Sequence, residues 1–187
     1  QRILVTGGCG FIGSEFVRLL IKNGYKTIVI DKLTYAGELK RLEDIKEKYT
    51  FHKVDICNKT QIESIFKKER PQILVNFAAA TNVDRSIQDA TSFLETNING
   101  VKVLLDVSRK YKIERFVHIS TDEVYGDIEK GSFSENSPLN PSSPYSASKA
   151  AGDLLIKSYM RTYTFPAIII RPCNNYGPWQ YPEKFIP

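Results

Sequence analysis

A chain of 187 residues, 42% hydrophobic and 25% charged, has the material for one domain with a full core and none of the bias of a disordered segment. Its net charge of +5 comes from lysines and arginines scattered among acids, which argues against a nucleic-acid partner and suits a polyanionic small ligand. Cys9, Cys57 and Cys173 are far apart, odd in number and without metal-ligand spacing, so reduced thiols, no metal site and a cytoplasmic setting are expected. No apolar run approaches membrane-spanning length, and Gln1 leads straight into Ile3-Leu4-Val5 without a signal-peptide core, so a soluble, unsecreted protein is expected.

Arg2 to Thr6 reads as a short apolar strand, followed by Gly7-Gly-Cys-Gly10-Phe-Ile-Gly13 and an amphipathic helix with Phe16, Val17, Leu19, Leu20 and Ile21 available for burial. Strand, glycine-rich turn and helix in this order form a phosphate cradle. Gly7 permits the turn, Gly10 lets the backbone approach a diphosphate, and Gly13 allows close packing at the helix N-terminus. Thr27 to Asp31 is a second strand whose terminal acid stands where an adenosine ribose is bound, favouring NAD over NADP; Lys32 beside it partly offsets that preference. Phe51 to Ile56 reads as a third strand that brings Asp55 towards an adenine ring, with His52 structural rather than catalytic. Gln72 to Phe77 is a fourth, running into the small residues Ala78, Ala79 and Ala80. Ser92 through Lys110 reads as one long helix interrupted by Gly100, apolar on overlapping faces, which hints at a dimer interface.

Arg115 to Ile119 reads as a buried parallel strand delivering Ser120-Thr121-Asp122-Glu123 at its C-terminal end, the edge where open α/β sheets bind ligands. Phe133 to Pro144 is a loop. The helix from Tyr145 to about Tyr163, with Ala147, Ala150, Ala151, Leu154 and Leu155 on its apolar pattern, sets Tyr145 and Lys149 four apart on one face. A lysine there is expected to lower the phenol's pKa and make Tyr145 a proton acceptor near neutral pH. Phe165 to Arg171 is a further strand, and the aromatic, amide-rich tail after it looks like a binding loop. About six strands alternating with helices imply an α/β fold with one doubly wound parallel sheet.

On these residues the chain resembles the extended short-chain dehydrogenase/reductase superfamily and, within it, the dTDP-glucose 4,6-dehydratases. The matching stretches are Gly7 to Ser14, Asp31 to Gly37, Val83 to Ile87, Ser120 to Gly126, Pro141 to Lys149, Cys173 to Pro178 and Pro182-Glu-Lys184. The Thr121-Asp122-Glu123 run discriminates most, because related sugar-nucleotide epimerases lack the acid pair. The resemblance implies an NAD-binding Rossmann fold and a lyase that oxidises C4 of a nucleotide hexose, eliminates water across C5 and C6, and returns hydride to C6. By the same resemblance Tyr145 takes the 4-hydroxyl proton with help from Thr121, Lys149 holds the ribose, Glu123 removes the C5 proton and Asp122 protonates the leaving hydroxyl. Phe11 and Ile12 would meet the cofactor diphosphate; Asp31, Lys32, Leu33 and Thr34 the adenosine ribose; Asp55 and Ile56 the adenine. Phe77, Ala78, Ala79, Thr96 and Asn175 would line the rest of its path. Thr81, Thr121, Asn174, Lys184 and Phe185 would touch the sugar nucleotide.

Ala80-Thr81-Asn82 departs from the family, which has an acid or amide, a hydroxyl residue and a histidine there. The chain stops at Pro187, where the family continues with most of a substrate-binding domain, and it starts without Met. The expected organisation is therefore an NAD-binding domain with the catalytic residues at 1–171 and a truncated start of the substrate-binding region at 172–187. A homodimer is the family expectation. UDP-, CDP- or GDP-hexose as substrate, or a non-catalytic NAD-binding module, are the alternatives.

Overall fold

Residues 3–6 are apolar or β-branched without a break, and a strand that is apolar at every position is covered on both faces. The computed structural model, which describes residues 1–182, bears this out: six parallel strands, β1 (Arg2–Thr6), β2 (Lys26–Asp31), β3 (Tyr49–Lys53), β4 (Ile73–Asn76), β5 (Arg115–Ile119) and β6 (Ala167–Ile170), lie in the order β3-β2-β1-β4-β5-β6. The order reverses at β1, so the sheet is doubly wound. Alternate residues of each strand serve opposite layers. Leu4, Ile28, Ile30, Leu74 and Phe116 pack under helices α2 (Lys59–Glu69), α5 (Val101–Lys110) and part of α6 (Pro144–Tyr163), while Ile3, Val5, Val29 and Val75 pack under α1 (Phe11–Lys22) and Leu42. Each fully buried Leu, Ile or Phe contributes roughly 1.5–3 kcal/mol, so the two layers dominate the stability of the domain.

Several boundaries differ from expectation. The third strand starts at Tyr49 and ends at Lys53, because Ile56 is buried from a turn rather than from the sheet. The fourth and sixth strands are shorter at both ends than their apolar runs. The long helix is continuous in direction but begins at Thr91 (α4, Thr91–Leu94) and passes through a π-helical turn, Glu95–Gly100, before α5. A 3-10 segment, Leu39–Lys48, and a short helix α3, Val83–Gln88, complete the inventory used below. On α6 the inward side differs in kind: beside Ala150 and Ile156 it buries Tyr145, Ser146, Ser148, Lys149, Gly152 and Asp153, while Leu154 is 56% exposed. Its buried surface is largely polar. Among the described residues no helix is long and apolar enough to cross a membrane.

Candidate active site

All six strands point their C-terminal ends at one edge, and the expected site residues among the described ones gather along it. Gly7 follows β1 with φ of 68°, and a side chain there would put its Cβ 2.6 Å from the Ala78 amide nitrogen, so only glycine lets the turn slide past the end of β4. A Cβ on Gly13 would lie 2.2 Å from the Gly7 carbonyl oxygen, which fixes how closely α1 abuts the turn. The N-terminus of α1 has no side-chain cap and no acid in its first turn. Its first amide groups, including those of Phe11 and Ile12, are thus presented at the edge, an arrangement that fits a diphosphate.

Asp31 is buried at the end of β2, accepting from the Cys9 amide at 2.9 Å and the Leu33 amide at 2.8 Å. It ties the glycine turn to the segment carrying Lys32, Leu33 and Thr34. Lys32 is ion-paired to Asp55 at 2.6 Å, and this pairing holds the lysine's pKa up. The other Asp55 oxygen accepts from the Cys57 amide at 2.9 Å, and Ile56 packs under Gly100. Phe77 packs on Phe16 with ring centroids 5.2 Å apart, followed by Ala78 and Ala79; Thr96 sits half-buried on the π turn. Burial pushes the thiols of Cys9 and Cys57 up to about 12, so neither is a reactive nucleophile.

On the other side of β1 the acid pair lies on a 3-10 turn, Asp122–Tyr125, capped by Thr121, whose Oγ accepts from the Glu123 amide at 3.3 Å. The Thr121 hydroxyl also donates to Asp122 Oδ1 at 3.3 Å. Asp122 further accepts a hydrogen bond from the Cys173 thiol, raising the thiol's pKa. The turn is held from behind by the Ser120 amide to the Ile170 carbonyl at 2.7 Å and the Asp122 amide to the Pro172 carbonyl at 3.2 Å. Ser143 and Ser146 form a reciprocal cap at the start of α6, and Ser86 of α3 accepts from the Tyr145 amide at 3.1 Å. Tyr145 is thereby fixed opposite the acid pair.

The electrostatics around Tyr145 run against expectation. Burial first, then the charge of Glu123 and more weakly of Asp122, push its phenol up to about 12, while hydrogen bonding with Thr121 pulls the other way. Lys149 is 3% exposed and donates to the Ile119 carbonyl at 2.8 Å, turned towards β5; burial lowers its own pKa to about 8. In this arrangement the lysine does not lower the phenol's pKa. The reason is physical: sharing a helix face fixes where two side chains start, not where a long flexible amine ends.

Sequence reasoning missed the residues that organise the site from behind. Asn97 on the π turn accepts from the Ala80 amide at 2.9 Å and donates to the Ala80 carbonyl at 3.0 Å and to Ser148 Oγ at 2.8 Å, joining the segment after β4 to α6. Arg41, on the 3-10 segment, donates to the carbonyls of Cys9, Ala36 and Trp179, tying the glycine turn to the tail. Behind Lys149 runs a buried polar chain, Thr6, Asn76, His118, Asp153, Arg171 and Tyr125. Only the oddity of Asp153 beside an apolar helix pattern could have signalled it. His52 contacts Glu69 at 3.2 Å, in keeping with a structural role. Asn82, one of the departures from the family pattern, caps α3 by accepting from the Arg85 amide at 2.8 Å. Thr81, Asn174 and Asn175 are exposed at the same edge; Lys184 and Phe185 lie outside the described residues.

A family model described as GDP-mannose 4,6 dehydratase matches residues 4–187. The dTDP-glucose 4,6-dehydratases of Streptomyces niveus and Salmonella typhimurium are each 48% identical over 100% of this chain, which covers 57% and 58% of those proteins. Among solved structures, DesIV, a dTDP-glucose 4,6-dehydratase from Streptomyces venezuelae with NAD and TYD bound, matches with a TM-score of 0.96 and 46% identity over 100% of this chain and 60% of its own. UDP-glucose 4-epimerase from Thermus thermophilus, in complex with NAD, matches at 0.92 and 34% over 99% and 59%. The chain therefore spans 57% to 60% of the lengths of these proteins.

Proposed function

The chain belongs to the GDP-mannose 4,6 dehydratase family, and from that premise we propose that the protein at its natural length is an NAD-dependent lyase converting dTDP-glucose to dTDP-4-keto-6-deoxyglucose and water. The observation that carries this reading is the acid pair. Asp122 and Glu123 stand on one short turn, close enough to Tyr145 for both charges to raise its pKa. An oxidoreductase or epimerase has no use for a second acid and base there, whereas an elimination needs both.

The open N-terminus of α1 and the backbone of the glycine turn would hold a dinucleotide's diphosphate. Asp31, Lys32, Leu33 and Thr34 would meet its ribose, with Asp55 and Ile56 at the adenine and Phe77, Ala78, Ala79, Thr96 and Asn175 along its remaining path. The pairing of Lys32 with Asp55 leaves an extra phosphate beside Asp31 facing a carboxylate and a lysine already neutralised, which supports NAD over NADP. The chemistry these side chains lack, removal of hydride from C4 and its return to C6, is what bound NAD supplies. Tyr145 Oη takes the proton of the sugar 4-hydroxyl while Thr121 stabilises the phenolate. With C4 a carbonyl, the C5 proton becomes acidic and passes to the Glu123 carboxylate. Asp122, protonated at that step, gives its proton to the departing 6-hydroxyl, and water leaves.

Thr81, Asn174, Lys184 and Phe185 belong, on this reading, to the sugar-nucleotide side, with residues 1–171 the cofactor-binding domain and 172–187 the start of the substrate-binding region. On this reading the protein works in the cytoplasm as a homodimer, which the exposure of Leu94 on α4 (49%) and Leu154 on α6 (56%), helices in contact with each other, supports. A monomer in sedimentation would contradict that assembly.

Glu123→Gln tests the assignment in the natural-length enzyme. Exchange of the C4 hydrogen should persist while elimination falls about 10²–10⁴-fold, the usual worth of a general base. Unchanged elimination would remove Glu123 from the mechanism.

A further inference from the structure

His118 has no part in the reaction just described, yet its ring is 1% exposed and stands between two charged groups. Its Nε2 lies 3.5 Å from Lys149 Nζ and 4.0 Å from Asp153 Oδ1. Lys149 and Asp153 are one turn apart on the buried face of α6, a spacing at which a lysine and a carboxylate readily pair. Here they do not: Lys149 donates to the Ile119 carbonyl at 2.8 Å, and Asp153 Oδ1 is buried with no hydrogen-bond partner among the described residues. The other Asp153 oxygen accepts from Arg171 Nε at 2.8 Å, and Arg171 in turn donates to the Tyr125 hydroxyl at 2.6 Å.

Which ring nitrogen of His118 carries hydrogen follows from two residues on neighbouring strands. The Thr6 hydroxyl donates to Asn76 Oδ1 at 2.5 Å, and Asn76 Nδ2 lies 2.9 Å from His118 Nδ1. An amide nitrogen only donates, so this contact, the shorter of the ring's two, makes Nδ1 the acceptor; the neutral ring then carries its hydrogen on Nε2 and the 3.5 Å approach of Lys149 is not a hydrogen bond. Burial, reinforced by the Lys149 charge, keeps the ring neutral by holding its pKa well below the ordinary histidine value. The ring therefore turns an N–H, not a lone pair, towards Lys149 and Asp153. An N–H repels an ammonium and is attracted by a carboxylate.

We propose that His118 is a positioning residue: held as the Nε2–H tautomer by Asn76 and Thr6, it keeps Lys149 out of an ion pair with Asp153, so that the amine remains able to serve Tyr145 and the cofactor ribose. The inference rests on the roles proposed above for Tyr145 and Lys149. The charged and titratable groups around the amine are His118 from β5, Asp153 from its own helix, Arg171 beyond β6 acting through Asp153, and Asp122 and Glu123 acting through Tyr145.

The test reads Lys149 directly, by NMR titration of natural-length protein labelled at lysine Cε, without cofactor, the signal being assigned by its loss in Lys149→Met. His118→Asn keeps an amide facing Asn76 but withdraws the group facing Lys149. In that variant the amine should pair with Asp153 and its titration should move from about 8 upward by about one unit or more. Turnover near neutral pH should drop about 10-fold with substrate KM unchanged, because an amine paired with Asp153 is no longer free to turn to the cofactor ribose. His118→Gln, which restores an N–H near the lost Nε2, should recover most of both effects. If His118→Asn does not fold, Asn76→Leu serves instead: it frees the ring to present a lone pair that captures the ammonium, moving the titration the same way. A Lys149 titration unchanged in both folded variants overturns the proposal, whatever happens to turnover. A shifted titration in a protein that never dehydrates a sugar supports the positioning role and refutes the dehydratase reading, so the two failures are distinguishable.

Discussion

The two halves of the sheet edge are built on different physical principles. From β1 to β3 the site is backbone: a glycine turn, an uncapped helix N-terminus, and a carboxylate at Asp31 that spends both oxygens on amides. From β4 to β6 it is side chain: hydroxyl, carboxylates, phenol, amine and imidazole, with Tyr145, Lys149, His118 and Asp153 buried together. On the proposed reading the first half holds the diphosphate and adenosine by shape and hydrogen-bond donors, while the second moves protons and lines the rest of the cofactor's path. Cofactor binding and turnover should therefore separate when the glycine turn and the phenol are altered one at a time.

The largest effect should come from Tyr145→Phe. Removing the proposed proton acceptor is expected to lower kcat by about 10²–10⁴ while NAD affinity in equilibrium dialysis stays within about twofold. Stability should fall by no more than roughly 0.5–1.5 kcal/mol, the worth of the Thr121 hydrogen bond. A large loss of NAD binding would erase the division between the halves.

Gly13→Ala attacks the other half. The new Cβ, 2.2 Å from the Gly7 carbonyl, must push α1 off the turn at a cost of about 1–3 kcal/mol. A fall in Tm on the order of 5 °C is expected, with NAD affinity weakened about 10-fold or more. Unchanged NAD affinity would mean that the turn does not carry the diphosphate.

The effect with the smallest consequence for activity is on stability against pH, and it belongs to the side-chain half. His118 is held below the 6.5 of a free histidine, so just below that pH the unfolded chain binds a proton the native one refuses, and stability falls on acidification. Lys149, lowered from 10.5 to about 8, acts in the same sense in its own window: stability contributed by this group rises with pH between those values. Each slope is bounded at about 1.4 kcal/mol per pH unit. Cys9, Cys57, Tyr145 and Tyr159, all pushed up to about 12, oppose this slope from about pH 9 upward, so the rise should appear in urea denaturation as the difference between the wild type and Lys149→Met, in which their contributions cancel. A rise that persists in the variant would assign it elsewhere.

The same division governs what could be read from residue order. The glycine turn was legible because each of its constraints acts over a few residues, and Tyr145 with Lys149 because a helix brings positions four apart together. The strand identities were legible from apolar runs, though Ile56 and Phe77 extended those runs past the sheet. The contacts Asn76 to His118 and Thr6 to Asn76 join residues 42 and 70 positions apart, and nothing local announces them. For the same reason the influence of Lys149 on Tyr145 was misjudged: burial and the Ile119 carbonyl, not proximity along α6, decide where the amine points. Arg41 and Asn97 were invisible because both act mainly through backbone carbonyls or amides, which any sequence supplies, and the one side-chain partner, Ser148, lies 51 positions from Asn97.

The most direct measurement is mass spectrometry of the natural-length protein incubated with NAD and, separately, dTDP-, UDP-, CDP- and GDP-hexoses. The acid pair beside Tyr145 predicts loss of one water from the sugar, with dTDP-glucose the preferred substrate. Turnover of the same sugars with no change of mass, as in inversion at C4, would contradict it.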